Sequence, residues 1–97
     1  MAEIRWTDEA LHWLEDIFEY IAADNPSAAA RTVHGIYERA QDLARFPEIG
    51  FRSLASPRHV RILPYGHYRI AYLVKDDGNV DVLGVFHSAL DITRYQL

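Results

Sequence analysis

The stretch HYRIAYLV, residues 67–74, alternates two sets of side chains and predicts a β-strand. Side chains of a strand point to opposite faces with a period of two, so Tyr68 and Ile70 share one face while Arg69 and Ala71 share the other. An arginine inside an apolar strand either lies on a solvated face or supplies a fixed positive charge to a site.

Further β-prone segments surround this strand in the second half of the chain. They are FRSL (51–54), HVRILPY (59–65) and NVDVLGVF (79–86), and each is bounded by proline, glycine or aspartate turns. The DDGN run at 76–79 predicts a hairpin between the last two strands. These segments predict an antiparallel sheet of about four strands, followed by a short C-terminal helix or tail.

The first half of the chain predicts a short strand and two helices. EIRW (3–6) is β-prone, and Thr7 is a suitable N-cap for a helix that ends near Ala23. Asn25 and Pro26 then start a second helix, because Asn caps well and the missing N–H of Pro costs nothing at the first helical position. We therefore expect an α+β fold, with an antiparallel helical hairpin on one face of the sheet. Within it, we expect two aromatic side chains to be core residues, Tyr37 and Phe46.

Length and composition restrict the class of protein. The chain has 97 residues and no cysteine, which predicts one domain over residues 1–97 and no thiolate metal site. The first residues carry no basic and apolar signal sequence, and no apolar run approaches the roughly 18 residues of a membrane helix. We expect a cytoplasmic protein with no membrane partner.

Charge is unevenly distributed along the chain. The net charge is −4, yet residues 45–69 hold five arginines and one acid. This basic block predicts a localised acidic partner, whereas ordinary solvated arginines are the alternative interpretation.

The order and spacing of several motifs resemble the RelE/ParE superfamily of type II toxin–antitoxin toxins. The motifs are YIAADNPSAAAR (20–31), LARFPEIG (43–50), YRIAY (68–72) and VFHSALD (85–91). The resemblance implies a helical hairpin on an antiparallel sheet, and a ParD-like antitoxin that binds the toxin in a hetero-oligomer. It also implies one of two activities, poisoning of DNA gyrase by ParE-like members or mRNA cleavage in the ribosomal A site by RelE-like members.

RNA cleavage requires a base, an acid and a positive charge around one phosphate. By resemblance, Arg69 matches the strand arginine of the RelE-like nucleases, and His87 and Tyr95 lie near the positions of their catalytic residues. However, Ser53 and Leu54 stand where a carboxylate is wanted, and the tail after His87 lacks a basic cluster. The sequence therefore favours the gyrase poison, with the mRNA interferase as the alternative and a non-toxic antitoxin-binding member as a third possibility.

A gyrase poison acts by binding, and arginine and aromatic side chains are the usual anchors of such interfaces. The residues predicted to bind the target or the antitoxin are Arg58, Arg61, Tyr65, Tyr68, Arg69 and Trp13. We expect an acidic, amphipathic antitoxin segment to cover the basic block or the neighbouring helical hairpin.

Structural roles compete with these assignments. Arg69 could pair with Asp81 or Asp91 across the sheet, and His87 could bond locally to Asp91. The five histidines show no metal-ligand spacing, and the chain has no glycine-rich phosphate loop, so we predict neither a metal nor a cofactor.

Overall fold

A computed structural model describes residues 2–53 and 58–88, and it confirms the α+β prediction. The elements in chain order are β1 (Ile4–Trp6), α1 (Asp8–Ala22), α2 (Pro26–Gln41), a 3₁₀ turn (Asp42–Ala44), β2 (Phe51–Arg52), β3 (Val60–Tyr65), β4 (Tyr68–Val74) and β5 (Val80–His87). The five strands form one sheet in the order β1-β5-β4-β3-β2. The predicted C-terminal helix or tail lies outside the described residues.

Both helices begin where the capping residues predict. The Thr7 hydroxyl oxygen accepts a hydrogen bond from the Ala10 N–H at 3.2 Å and donates to the Val82 carbonyl at 2.8 Å, which ties the start of α1 to β5. The Asn25 side chain accepts from the Ala28 N–H at 3.0 Å, and Pro26 opens α2. Within residues 2–53 and 58–88, neither helix combines the length and the apolar character needed to cross a bilayer.

The N-terminal strand adds a parallel neighbour to an otherwise antiparallel sheet. β1 pairs with β5 in the register Ile4↔Val80, while the β2–β3, β3–β4 and β4–β5 pairs are antiparallel. The Asn79 side chain accepts from the Glu3 N–H at 3.0 Å, and the Val80 N–H donates to the Glu3 carbonyl at 2.9 Å. The sheet is therefore mixed, with β1 at one edge and β2 at the other.

A β-bulge interrupts the pairing of β4 with β5. Ala71 faces Gly84 and Tyr72 faces Val82, so Leu83 is an extra residue on β5. Along β4 the even-numbered residues face the helices without a break. Along β5 the bulge shifts the alternation, so that Val82 before it and Val85 after it both pack under the helices.

The sheet is buried on both faces around the bulge. The helix face carries the larger core cluster, which includes Ala10, Leu14, Ile36, Leu63, Ile70 and Tyr72. The opposite face, called the far face below, carries a second cluster of Val60, Ile62, Ala71 and Phe86, each at most 1% exposed. Trp13 of α1 packs against both clusters, and its ring contacts the Phe86 ring at a centroid distance of 4.6 Å.

The expectation that Tyr37 and Phe46 are core residues was wrong. Tyr37 is 44% exposed and stacks on the Trp6 ring, and Phe46 is 60% exposed in the loop that follows the 3₁₀ turn. The helical stripe continues only to Ala40 and Leu43, which are buried. The chain then turns away from the core, and the following aromatic side chain points outward.

Tyr72 fixes this loop to the sheet. Its ring is fully buried, its hydroxyl donates to the Pro47 carbonyl at 2.7 Å, and the same oxygen accepts from the Gly50 N–H at 3.0 Å. A Cβ at Gly50 would come within 2.6 Å of the Ile62 carbonyl oxygen and 2.8 Å of the Tyr72 hydroxyl. The close approach of loop and sheet therefore requires glycine at this position.

Replacing Tyr72 with Phe should lower the free energy of unfolding by about 1–3 kcal/mol, because a partly buried carbonyl and a buried N–H lose their partner. Urea unfolding followed by circular dichroism measures the change. Tyr20→Phe is the matched control, since the Tyr20 side chain is 84% exposed. Equal stability of the two variants would contradict the role assigned to Tyr72.

Tyr72 should also make the protein sensitive to alkali. Burial raises the pKa of its phenol above 10.0, although the Gly50 hydrogen bond and the nearby Arg61 charge act in the opposite direction. Because the unfolded chain then loses this proton first, the stability contribution is complete below pH 10 and declines as pH rises above it. Urea midpoints at about pH 9 and about pH 11 should fall more for the wild-type protein than for Tyr72→Phe.

Candidate functional site

Arg69 and His87 lie on opposite faces of the sheet. In the register of β4 with β5, Tyr68 faces His87 and Arg69 faces Phe86. His87 therefore shares the helix face with Tyr68, whose ring it meets edge-on at a centroid distance of 5.6 Å. Arg69 shares the far face with Ala71 and Phe86.

The Arg69 side chain is half-buried on β4, and it makes no polar contact with the other described residues. Asp81, one of its proposed partners, instead lies 4.0 Å from Arg5 and 3.8 Å from Lys75. Among residues 2–53 and 58–88, no hydrogen bond or ion pair engages the Arg69 guanidinium. The other proposed partner, Asp91, and the candidate catalytic residue Tyr95 lie outside the described residues.

Arg61 has an internal contact that the sequence analysis did not predict. It lies on the helix face opposite Tyr72, and its guanidinium donates to the Gly50 carbonyl at 2.7 Å and to the Glu48 carbonyl at 3.3 Å. It therefore holds the loop of residues 47–50 together with Tyr72. Arg58, by contrast, is exposed before β3, next to a 2.6 Å contact between Arg52 and His59.

The predicted aromatic residues lie at the other end of the sheet, where β3 turns into β4. Tyr65 and Tyr68 are directly paired across this turn, and the rings of His67 and His87 stack at a centroid distance of 6.1 Å. The Ser88 N–H donates to the His67 carbonyl at 2.7 Å, which fixes the end of β5 beside the turn.

A cavity lies between α1 and this end of the sheet, and it is called the helix–sheet cavity below. Its lining residues are Trp13, Asp16, Ile17, Tyr20, Tyr68, Val85 and His87. Asp16 and Tyr20 were not predicted as site residues. Their signal was present in the sequence, because positions 13, 16, 17 and 20 recur at three- and four-residue steps on one face of a helix.

Two further surfaces expose apolar side chains. One is the groove between the helices, which is lined by Leu11, Leu14, Glu15, Phe18, Glu19 and Val33. The other is the loop and strand held by Tyr72 and Arg61, which presents Phe46, Ile49 and Phe51 at exposures of 47–60%. Exposed apolar patches of this kind are typical of protein interfaces.

In the described part of the chain, no three histidine or acidic side chains are arranged to hold a metal ion. The arginine and imidazole candidates do not converge on one point, since Arg69 and His87 are separated by the sheet.

Comparison with known proteins decides the family. Residues 4–92 match the family described as the ParE toxin of the type II toxin–antitoxin system parDE. The chain belongs to the ParE toxin family. Toxin RelE2 of Caulobacter vibrioides is 36% identical over 89 residues, which cover 92% of this chain and 98% of that protein. The chain is thus a type II toxin of the wider ParE/RelE superfamily.

Two solved structures support the fold of this ParE-family chain. A chain of the chromosomal ParDE system from P. aeruginosa superposes with a TM-score of 0.76 at 23% identity, and it covers 90% of this chain and 96% of its own length. A chain of the toxin–antitoxin complex RelBE2 from Mycobacterium tuberculosis gives a TM-score of 0.69 at 25% identity, with coverages of 89% and 96%. Both come from toxin–antitoxin systems.

Replacement of Arg61 and of Arg69 by Gln should change the free energy of unfolding by different amounts. Arg61→Gln should lower the free energy of unfolding by about 1–2 kcal/mol, because it removes charge-assisted bonds to the loop carbonyls. Arg69→Gln should change it by less than about 0.5 kcal/mol, since no polar partner in the described structure is lost. Urea unfolding of both variants tests the contrast, and equal losses would contradict the assignment of Arg61 to the fold.

Proposed function

We propose that this toxin poisons DNA gyrase and is neutralised by a cognate ParD-like antitoxin. The observation that carries the proposal is the match to the ParE toxin family over residues 4–92, which includes all eight elements of the fold up to His87. ParE-like members of the superfamily are the gyrase poisons, so family membership makes gyrase the first target to test.

The separation of Arg69 from His87 supports a binding toxin over a nuclease. In-line cleavage of RNA needs a proton acceptor, a proton donor and a cation within reach of one phosphate. Here the cation is on the far face, and the imidazole is on the helix face. A toxin that acts by binding a protein surface has no such requirement.

Arg69 is the anchor that we assign to the target. An interface arginine contributes most when its guanidinium is available for a partner and its neighbours exclude water. The Arg69 guanidinium has no polar partner among the described residues, and the buried side chains of Ala71 and Phe86 lie beside it on the same face. Arg58, which lies just before β3, is the second candidate.

Purified toxin should inhibit supercoiling of plasmid DNA by gyrase and should accumulate linear, cleaved DNA. Arg69→Gln should weaken the inhibition about tenfold, which corresponds to the loss of one interface anchor. Arg5→Gln is the matched control, because Arg5 lies on edge strand β1 and faces Asp81. Prior addition of antitoxin should abolish the inhibition.

Unaffected gyrase in the presence of folded toxin would overturn the proposal. The ribosome-dependent mRNA interferase is then the second candidate, favoured by the likeness to Toxin RelE2 and to the RelBE2 complex. Cleavage of mRNA on programmed ribosomes, lost on substitution of His87 or Tyr95, would establish it. Unimpaired growth of cells that express the chain without antitoxin would instead identify a non-toxic member.

A further inference from the structure

The helix–sheet cavity is large enough to receive a side chain of a partner. Its volume is about 500 Å³, within the usual range for ligand sites of about 300–1,000 Å³. One wall is the α1 stripe of Trp13, Asp16, Ile17 and Tyr20, and the other wall comes from the ends of β4 and β5. Both walls are regular secondary structure, so their backbone positions are set by the fold.

The lining combines aromatic rings with one carboxylate. Trp13, Tyr20 and Tyr68 supply three of the rings, and Asp16 supplies the negative charge. Among residues 2–53 and 58–88, no cation pairs with Asp16. Aromatic faces attract a guanidinium or ammonium group, and a carboxylate binds a guanidinium through two parallel hydrogen bonds.

The negative charge of α1 restricts which chemical groups can enter the helix–sheet cavity. The helix carries five acidic residues and no lysine or arginine, and one of the acids, Asp16, lines the cavity. This surface repels phosphate groups and acidic peptides, and it attracts a basic segment. Among protein side chains, arginine fits best, because its planar group can stack on a ring and pair with the carboxylate at the same time.

We propose that the helix–sheet cavity receives an arginine side chain from a basic segment of the antitoxin. The antitoxin is the occupant because a chain of the toxin–antitoxin complex RelBE2 shares this fold, and because the acidic surface of α1 favours a basic segment. The proposal rests on the antitoxin half of the proposed function and is independent of gyrase. It adds a basic contact at α1 to the acidic contact expected at the arginine block of residues 45–69.

A peptide titration tests the chemistry of the pocket. The toxin, labelled with ¹⁵N, is titrated with acetyl-Gly-Arg-Gly-amide, and the indole signal of Trp13 is followed by NMR. The two tryptophans of the chain give separate signals, and Trp6→Phe assigns them. The Trp13 signal should shift with a millimolar dissociation constant, and a peptide with neutral citrulline in place of arginine should bind at least about tenfold more weakly.

Two charge-matched variants locate the binding site. Asp16→Asn should weaken arginine-peptide binding about tenfold, because it removes the carboxylate of the pocket. Glu15→Gln removes the same charge from the same helix, but Glu15 lines the groove between the helices, so binding should be retained. Equal binding of arginine and citrulline peptides, or equal effects of the two variants, would overturn the proposed pocket chemistry.

The antitoxin itself tests the occupant. Calorimetry of the full toxin with its cognate antitoxin should give about tenfold weaker binding for Asp16→Asn than for Glu15→Gln. One antitoxin arginine, changed to Gln, should show no further loss when combined with Asp16→Asn, as expected for two directly interacting groups. If Asp16→Asn binds antitoxin as Glu15→Gln does, the assigned occupant is wrong. A selective loss of gyrase inhibition in that variant would then place an arginine of the target in the cavity.

The gyrase proposal and the arginine-pocket proposal can be refuted independently of each other. Antitoxin affinity is measured without gyrase, so a toxin that does not inhibit gyrase still tests the arginine pocket. Conversely, gyrase inhibition by wild-type toxin does not depend on whether the antitoxin uses the cavity.

Discussion

The single extra residue at Leu83 determines which side chains can act together. Before the bulge, β5 places Val82 on the helix face, and after it the alternation is shifted by one position. An unbroken antiparallel register would continue from Tyr72↔Val82 to His67↔His87, and His87 would then lie on the far face with Arg69. With the bulge, His87 pairs with Tyr68 beneath α1, and Arg69 remains with Phe86. The division between a cationic far face and an imidazole-containing helix face follows from this one insertion.

Local sequence signals predicted the parts of the fold that depend on local physics. The caps at Thr7 and Asn25 and the proline at the first turn of α2 fixed the helix starts, because each satisfies backbone groups within four residues. The parallel pairing of β1 with β5 could not be predicted from local signals, since it joins residues more than 70 positions apart. A bulge is equally hard to predict, because it depends on tertiary packing around Gly84, where an added Cβ would lie 3.0 Å from the Phe86 ring and 3.4 Å from the Trp13 ring.

The sequence named candidate site residues, but it did not show how the fold groups them. The sequence analysis placed Arg61 and Arg69 in one predicted binding surface. In the structure, however, the Arg61 guanidinium donates hydrogen bonds to the Gly50 and Glu48 carbonyls of its own chain. The exposure of Phe46 likewise depends on a loop held by the distant Tyr72 hydroxyl. Such tertiary hydrogen bonds leave no periodic pattern in the sequence. The result is a toxin-family fold with several separate surfaces that could contact a partner, which is consistent with the binding role proposed above.

A double-mutant cycle of Arg69→Gln and His87→Ala tests most directly whether the two faces of the sheet act independently. Inhibition of gyrase is the readout. Residues on opposite faces of the sheet should act independently, so the two changes in inhibitory free energy should add within about 0.5 kcal/mol. The residues of one catalytic unit behave differently, because either single substitution removes nearly as much activity as both together. Additivity is the predicted result, and a double variant no weaker than either single variant would contradict the separation of the two faces.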